Sequence, residues 1–360
     1  MERRPLAGAA HGLYAPRHDD RGTHISARPL DAGTQGPPAR PGDTGQEPAL
    51  TAAAPPASRY LMAVEHTDWA KLPEGVRDAV ARQLGMPYTA ADAEDAANSG
   101  TAALLSLCDG RAVFVKGQRD RTPAAAPDGS VDDGTSWWGP DWSPVDELDL
   151  EQAVNPHLPS SAPRVLWRLH AHGWHLLAFE GLRGRVSEYT PGSTDLPLVA
   201  AALGELAACA TPPLRLPTAW DRWGYYCDAR DEDQLAGSRL LHTDPASTNV
   251  LICQGRARLV DWAWPSLGPG WADAALWGMR LISTGGHTPE QAWTWASQTP
   301  GWNEAPPQAL RVFTRAEARR WQDLAADHVA GASPVAEAAH AWACFVASHT
   351  PAAAPVTLTD

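Results

Sequence analysis

The chain has 360 residues, and its 42 acidic side chains against 29 lysines and arginines give a formal net charge of −13. This length is enough for one large domain or two modest ones. The acidic balance argues against a nucleic-acid-binding protein, which needs a basic face, and it is compatible with a cationic ligand without requiring one. Apolar runs are too short to predict a membrane span.

The cysteines and histidines predict no metal site. The five cysteines are scattered, with no Cys-x-x-Cys pair, and the thirteen histidines show no metal-ligand spacing. A zinc site is therefore not expected. Buried free thiols in a reducing cytoplasm are the expectation instead.

Residues 1–58 are rich in Pro, Gly, Ala, Arg and Asp and poor in large apolar side chains. Such a segment cannot bury enough surface to offset its ordering entropy, so it predicts a disordered extension. Its Arg3-Arg4 pair precedes no apolar core of a signal peptide. A natural start near Met62 is an alternative to Met1, and residues 351–360 are expected to form a tail.

Residues 72–116 predict a helix and a strand pair. The helix covers 72–84, and the strands 102–107 and 111–116 flank an Asp109-Gly110 turn. Lys116 ends the second strand. The segment Asn98-Ser99-Gly100-Thr101 is either an ordinary turn or a reduced glycine-rich loop whose backbone and hydroxyl groups contact phosphate.

An insertion at 117–146 contains Trp137, Trp138 and Trp142, which either fold back on the small sheet or form part of a lid. A helix at 148–154 follows and ends before a proline. It carries Glu151, with Glu147 one turn earlier. Strands at 162–167 and 174–180 lead into Gly181-Leu182.

The second half of the chain is mostly helical. Helices are predicted from about 196 to 209, with Asp195 as N-cap, and at 272–282, 289–297, 308–329 and 334–348. Most tryptophans here are typical of a core. Four arginines at helical spacing are typical of a solvated face: Arg311, Arg315, Arg319 and Arg320.

The most informative segment lies between these helices. It contains His242, then Asp244, then Asn249 five residues later, and the apolar runs 250–252 and 259–260 around a Gln254-Gly255 turn. A hairpin there would bring Asp261 back beside Asn249. A loop aspartate can accept the proton of an attacking hydroxyl, and an asparagine carbonyl with a second carboxylate can hold Mg²⁺. An ordinary loop capped by Asp and Asn is the plain alternative.

This segment resembles the aminoglycoside phosphotransferase and choline-kinase-like branch of the kinase-fold enzymes. Thr243 stands where the family usually has glycine, and Ala246 where histidine is common. The matching residues are His242, Asp244, Asn249-Val250-Leu251, Val260-Asp261-Trp262, Gly268-Pro269 and Asp273.

The resemblance implies an α+β, two-lobe protein-kinase-like fold. A nucleotide-binding small lobe with an antiparallel sheet would cover 59–182 and a larger, mostly helical catalytic lobe 183–350. The implied reaction transfers the γ-phosphoryl group of ATP, or GTP, to a hydroxyl of an antibiotic or metabolite. Asp244 would be the base, His242 would brace the loop, and Asn249 and Asp261 would hold Mg²⁺. Asp273 is expected to stabilise the loop and not to bind metal.

The resemblance also assigns the nucleotide site. Lys116 would hold the α- and β-phosphates and pair with Glu151, or alternatively with Glu147. The hinge residues near the adenine would be Phe179, Glu180 and Leu182, and Ser99 and Thr101 would lie near the phosphates. Each of these residues also has a plain structural interpretation: Glu151 and Glu147 as solvated carboxylates on a helix face, and the others as strand ends or turns.

Two other classes of function remain open. One is a catalytically inactive nucleotide-binding or regulatory module on the same fold, which the single glycine at Gly100 favours. The other is a metal-dependent hydrolase, which the absence of metal-ligand spacing disfavours. No nucleic-acid or membrane partner is expected, and the sequence does not indicate the oligomeric state.

Overall fold

The computed structural model describes residues 65–93, 99–120 and 143–350, which all belong to one compact unit. Three expectations lie outside the described residues: the disorder of residues 1–58, the role of the three tryptophans in the insertion, and the tail at 351–360. Within the described part, no helix is both long enough and apolar enough to cross a membrane.

The first half of the described chain forms a five-stranded antiparallel sheet with the order β1-β2-β3-β5-β4. The strands are β1 (Tyr88–Asp92), β2 (Thr101–Leu107), β3 (Ala112–Arg119), β4 (Val165–Ala171) and β5 (Trp174–Glu180). Hairpins join β2 to β3 and β4 to β5 at Gly110 and Gly173, whose positive φ angles suit glycine.

Helices pack on this sheet. Helix α1 (Glu74–Leu84) buries Val76 and Val80 in a core that includes Leu105 and Val115. Helix α2 (Pro144–Val154) begins with a capping box of Ser143 and Asp146, and its Leu148 packs against Phe179. The position of α2 fixes where Glu151 meets the sheet.

Strand β3 is longer than expected. It continues to Arg119 because Gly117, Gln118 and Arg119 keep pairing with β5. Lys116 therefore lies within the strand and does not end it, and the predicted insertion start at 117 is wrong. Strand β1 was not predicted at all, since its sequence, Tyr-Thr-Ala-Ala-Asp, leaves four of five residues exposed.

The second half is mainly helical. Its helices are α3 (Leu196–Ala207), α4 (Ala219–Trp223), α5 (Ala272–Ser283), α6 (Pro289–Ala296), α7 (Pro307–Ala326) and α8 (Ala332–His349). They share one large core in which Trp223, Trp277 and Trp342 are fully buried. The burial of these indoles agrees with the core role predicted for most tryptophans.

Short strands cross the helical half. They are β6 (Arg185–Val186), β7 (Arg239–Leu241), β8 (Val250–Cys253), β9 (Arg256–Leu259) and β10 (Ser266–Gly268). The predicted β8–β9 hairpin turns at Gln254 and Gly255, which both have positive φ. Strand β7 pairs with β10, so the chain on both sides of the His242–Asp261 segment is fixed.

Three local details differ from the expectations. Asp195 occupies the N-cap position of α3 as predicted, but its side chain makes no capping bond, because its carboxylate accepts two hydrogen bonds from Arg185, at 2.5 and 2.7 Å, and one from the Glu188 amide. Of the five free cysteines only Cys253 is buried, and Cys108 and Cys344 are exposed. The arginine stripe of α7 is not simply solvated, since Arg315 pairs with Asp231 at 2.9 Å.

A small antiparallel sheet with its two helices, followed by a larger helical part, is the two-lobe protein-kinase-like fold. The predicted fold class is confirmed. The exact lobe boundary at 182 stays a prediction.

Candidate active site

Lys116 lies at the centre of a buried charge cluster. Its side chain reaches from β3 to Glu151 on α2, with 2.5 Å between Nζ and Oε2, and to Oδ1 of Asp261 at 2.9 Å. Lys116 and Glu151 are 7 % and 2 % exposed. Since both groups are buried, each depends on the other for charge compensation. Glu151 is thus the carboxylate that meets Lys116, and Glu147 lies one turn earlier on α2.

Glu151 also fixes the segment that carries Asp261. Its Oε1 accepts a hydrogen bond of 3.0 Å from the Trp262 amide. Burial raises the pKa of Glu151, against the opposing effects of Lys116 and this amide. Burial alone would lower the pKa of Lys116. The negative charges of Asp261 and Glu151 have a larger, opposite effect, so the pKa of Lys116 is raised. The lysine is therefore charged at neutral pH.

Two positions of the site, one in the loop after β7 and one just after β9, have a strained backbone. Thr243 and Asp261 have φ angles of +73° and +64°, which non-glycine residues rarely adopt. Asp273, at the start of α5, accepts hydrogen bonds from the amides of His242 (2.8 Å) and Thr243 (2.7 Å). The Thr243 hydroxyl donates to the Trp264 carbonyl at 2.9 Å. Asp273 therefore supports the loop, as the sequence indicated.

His242 joins the two halves of the site. Its Nε2 lies 2.8 Å from the Val260 carbonyl, and its Nδ1 accepts from the Asp244 amide at 3.3 Å. A neutral imidazole with the proton on Nε2 satisfies both contacts. His242 thereby ties the Asp244 loop to the residue that precedes Asp261, which is a bracing role.

Asp244 and Asn249 are in direct contact. The Asn249 amide nitrogen donates to the Asp244 backbone carbonyl at 3.1 Å and to its Oδ2 at 3.2 Å. The backbone carbonyl of Asn249 accepts a hydrogen bond of 2.9 Å from the amide of Val260, the residue before Asp261. The hairpin thus brings Asp244, Asn249 and Asp261 together.

The other oxygen of Asp244 is bound by Arg280 of α5, with 2.7 Å between Oδ1 and Nη2. Burial acts to raise the pKa of Asp244, but the charge and hydrogen bond of Arg280 oppose it and the pKa lies below the ordinary value. Asp244 is ionised at neutral pH, and its side chain keeps 46 % of its surface exposed. A carboxylate that is charged and accessible can accept a hydrogen bond from an approaching hydroxyl.

The donor set near Asn249 and Asp261 suits a hard divalent cation. Because the amide nitrogen of Asn249 is bound to Asp244, its carbonyl oxygen is the atom that it can offer to a cation. The Asp261 carboxylate gives one oxygen to Lys116 and its side chain is 46 % exposed. Amide and carboxylate oxygens are the ligands that Mg²⁺ prefers, so these residues fit the ion that the motif implies.

The residues predicted to form the hinge lie at and just after the end of β5. The Phe179 ring is buried with its centroid 5.9 Å from Lys116 Nζ. Glu180 is exposed, and its carboxylate accepts from the Arg164 amide at 3.1 Å. The backbone amides of Glu180 and Gly181 are already bonded to Arg164 and Ala112. Leu182, half-buried, follows them.

The turn at 99–101 differs from what was expected. Thr101 is fully buried where β2 pairs with Gly117 of β3, so its hydroxyl cannot reach a phosphate and the assignment is wrong. The Gly100 amide is bonded to the Gln118 side chain at 3.0 Å. Ser99 is half-buried, and its carbonyl lies 2.9 Å from Nδ1 of His66.

Arg280 is the functional candidate that sequence reasoning missed. Arg280 lies 36 residues after Asp244, and no short-range pattern connects the two. One signal was available in the sequence. Arg280 lies seven residues after Asp273, which is two helical turns, so both side chains are on the same face of the helix. Because Asp273 was expected to stabilise the Asp244 loop, that face is directed towards the loop.

A second cluster of potential metal ligands forms across the small sheet. Asp120, His170 and His175 offer ligand atoms within 4.8 Å of one another, and Asp120 Oδ1 lies 2.9 and 2.8 Å from the two histidines. The expectation that the histidines form no such group is wrong. The group is assembled by the pairing of His170 with His175 on adjacent strands, and the spacing of residues along the sequence does not reveal it. The Nη2 atom of Arg168 lies 3.5 Å from Nδ1 of His175, which places a positive charge beside the cluster.

A scan of the sequence against models of protein families finds no match, and a comparison with curated proteins finds none. Solved structures are similar to the chain at low identity. A thermostable mutant of aminoglycoside phosphotransferase APH(4)-Ia, in a ternary complex with ADP and hygromycin B, is 14 % identical, with a TM-score of 0.47 over 77 % of this chain and 99 % of that one.

Two further structures give similar values. Choline kinase LicA from Streptococcus pneumoniae is 14 % identical, with a TM-score of 0.44 over 76 % of this chain and 98 % of its own. Amicoumacin kinase hAmiN, in complex with AMP-PNP and Ca²⁺, is 13 % identical, with a TM-score of 0.45 over 76 % and 94 %. These structural neighbours are small-molecule kinases, of the kinds that the His242–Asp261 segment resembles.

Proposed function

We propose that the protein is a Mg²⁺-dependent kinase that transfers the γ-phosphoryl group of ATP or GTP to a hydroxyl of a small molecule. The observation that carries this proposal is the convergence of four side chains from distant segments. Lys116 contacts Asp261, and Asn249 contacts Asp244 and, through its backbone, the residue before Asp261. A lysine, a base and two metal ligands in contact are the parts that phosphoryl transfer requires.

Each residue has a separate role. Lys116, held by Glu151, neutralises charge on the α- and β-phosphates. Asn249 and Asp261 hold Mg²⁺, which when bound offsets the charge on the phosphates. The backbone at Leu182 is where we expect the purine to bind, because the amides of Glu180 and Gly181 are used within the sheet. Phe179 and Glu180, at the end of β5 just before this position, are the other residues proposed near the purine, and Ser99 remains a candidate phosphate contact.

Asp244 orients the acceptor and takes its proton. The acceptor oxygen forms a bond to the γ-phosphorus while the bond from phosphorus to the β–γ bridging oxygen breaks, and the nucleoside diphosphate leaves. The hydroxyl proton passes to a carboxylate oxygen of Asp244. Because the pKa of Asp244 is low, its larger contribution is orientation and electrostatic stabilisation of the hydroxyl proton as it is released.

A second candidate is an inactive nucleotide-binding or regulatory module on the same fold. The bonded Gly100 amide and the buried Thr101 favour it, because they leave fewer groups for phosphate at this turn. The retained triad of Asp244, Asn249 and Asp261 favours the enzyme. The five free thiols suit a reducing compartment, and we propose the cytoplasm.

A thermal-shift screen tests the proposal. Wild type, Asp244→Asn and Asp261→Ala are heated with Mg-ATP, with Mg-GTP, and with each nucleotide in EDTA. Wild type and Asp244→Asn should be stabilised by a nucleotide only when Mg²⁺ is present, since Asp244 does not hold the phosphates. Asp261→Ala should lose the Mg²⁺-dependent part. If no nucleotide shifts the melting temperature of wild type, the kinase proposal is wrong.

A further inference from the structure

The side chains of Asp120, His170 and His175 lie on one face of the small sheet. His170 on β4 is directly opposite His175 on β5, and Gln118 of β3 is opposite His175 on its other side. Since side chains alternate along a strand, Asp120, two residues beyond Gln118, is on the same face as both histidines. The Asp120 amide donates to the Gly173 carbonyl at 2.8 Å, which holds the end of β3 against the β4–β5 hairpin.

The ligand atoms of these three residues converge on one point. Nε2 of His170 and Nε2 of His175 lie 2.9 and 2.8 Å from the same oxygen, Oδ1 of Asp120, and the three ligand atoms are within 4.8 Å of one another. The imidazole rings are stacked, with centroids 4.3 Å apart and planes inclined by 20°. Tetrahedral coordination with bonds of about 2.0–2.2 Å separates ligand atoms by roughly 3.3–3.5 Å. Shifts of roughly half an ångström therefore convert the cluster into a coordination triangle.

Solvent reaches the cluster. The side chains of His170 and Asp120 are 57 % and 45 % exposed, so an ion can enter and water can complete its coordination. Two imidazole nitrogens and one carboxylate oxygen suit borderline first-row ions such as Zn²⁺, whereas Mg²⁺ and Ca²⁺ prefer oxygen ligands. The donor set thus selects a different class of metal from the Asn249 and Asp261 pair.

Arg168 opposes metal binding. Its Nη2 lies 3.5 Å from Nδ1 of His175, while its Nη1 pairs with Asp149 at 2.5 Å. An imidazole that binds a metal through Nε2 donates a hydrogen bond from Nδ1, and a guanidinium cannot accept one. The arginine therefore lowers the affinity of the site, and its removal gives a test that a cluster held only by hydrogen bonds would not pass.

We propose that Asp120, His170 and His175 form a binding site for Zn²⁺ or a similar first-row ion. The inference goes beyond the proposed kinase function. Asp120 follows Lys116 by four residues along β3, roughly 13 Å of extended chain, so the ion is separate from the Mg²⁺ site. The bound ion joins the end of β3 to the β4–β5 hairpin and stabilises the small sheet, because the unfolded chain does not hold the three ligands together.

Calorimetric titration of the full chain with ZnCl₂ tests the proposal. The background variant is Cys108→Ser/Cys344→Ser, which removes the two exposed thiols, one of them 3.6 Å from His340. Millimolar MgCl₂ in the buffer occupies sites for hard cations. His170→Gln and Asp120→Asn should each lose one equivalent of Zn²⁺ or weaken it by at least about tenfold, since even a change beside a metal ligand costs about 10–100-fold.

Two further variants sharpen the test. His172→Asn is the matched control, because it removes an imidazole from the turn of the same hairpin, and asparagine tolerates the positive φ of that position. It should bind Zn²⁺ as the background does. Arg168→Gln should bind Zn²⁺ more tightly, because it removes a like charge and supplies an oxygen that can accept from Nδ1 of His175.

Melting temperatures measured with and without ZnCl₂ on the same preparations report the stabilising role. Zn²⁺ should raise the melting temperature of the background and of His172→Asn, and not that of Asp120→Asn. If Zn²⁺ does not bind at submillimolar concentration, or binds His170→Gln and Asp120→Asn as tightly as the background, the three residues form a hydrogen-bonded cluster only and the proposal is wrong. An equal loss in His172→Asn would also overturn it. None of these outcomes depends on nucleotide binding, so the kinase proposal stands or falls separately.

Discussion

Removing Lys116 should destabilise the fold through the charge that it leaves behind. In Lys116→Met, Glu151 stays buried at 2 % exposure and loses the cation 2.5 Å away. Breaking a buried ion pair by removing one partner costs about 3–5 kcal/mol, a large part of a typical unfolding free energy of about 5–15 kcal/mol. The contact with Asp261 adds little, since that side chain is 46 % exposed.

Urea unfolding at pH 7 measures the effect, and Lys116→Met/Glu151→Gln is the matched control. The double variant replaces both charges, so it should recover at least about 2 kcal/mol of the loss. It should still bind Mg-ATP weakly, because the lysine is gone. Weak nucleotide binding with restored stability would separate the two roles of Lys116.

The pH dependence follows from Glu151. Burial raises its pKa, and removing Lys116 removes an effect that lowers it, so the pKa in the folded variant rises further. A carboxyl group with a raised pKa in the folded state contributes stability that is complete below its unfolded pKa of about 4.3 and is lost as the pH rises through the folded value. The deficit of Lys116→Met should thus be smaller at pH 5 than at pH 8. A loss below about 1 kcal/mol at pH 7, independent of pH and unchanged by Glu151→Gln, would refute the reasoning.

Three other predictions concern the Asp244 loop. Asp273→Asn leaves one acceptor for two amides, so it should cost about 1–3 kcal/mol in urea unfolding and lower turnover, and an unchanged midpoint would contradict the loop-supporting role. Arg280→Met removes a positive charge that lowers the pKa of Asp244, so the acid limb of the pH–rate profile should move to higher pH. An unchanged acid limb would show that Arg280 does not influence the ionisation of Asp244. Thr243 has a φ of +73°, and its hydroxyl bonds to the Trp264 carbonyl. Thr243→Gly and Thr243→Ala both lose this bond, but only glycine relieves the backbone strain, so the glycine variant should be about 1 kcal/mol more stable in urea unfolding. Equal stabilities of the two variants would argue against strain at this position.

The contiguous parts of the site could be predicted from the sequence. Residues 242–261 form a loop and a tight hairpin, so the partners of Asn249 are fixed by local geometry and turn chemistry. The pairing of Lys116 with Glu151 needed the family pattern as well, because an insertion separates the two. The extent of β3 was missed because Gly117 and Gln118 have low strand propensity, and pairing with β5 outweighs it.

The charge environment of Asp244 could not be predicted. Arg280 comes from a helix whose placement beside the loop depends on tertiary packing, and it looks like an exposed surface residue in sequence. Likewise, Asp120, His170 and His175 meet only because β3, β4 and β5 are neighbours. Thr101 was assigned to phosphate from its hydroxyl and from its place beside Gly100 before the first predicted strand, whereas the register of β2 on β3 buries it.

The most direct test of the central claim is transfer of label from [γ-³²P]ATP, with Mg²⁺, to a panel of hydroxyl compounds that includes anionic, neutral and cationic members. Wild type should label at least one acceptor, and Asp244→Asn should label it about 10²–10⁴-fold more slowly while binding Mg-ATP as wild type does. Labelling by Asp244→Asn at the wild-type rate would contradict the assignment of Asp244 as the residue that orients the acceptor and takes its proton. If wild type binds Mg-ATP and labels no acceptor, the inactive-module alternative is the better account.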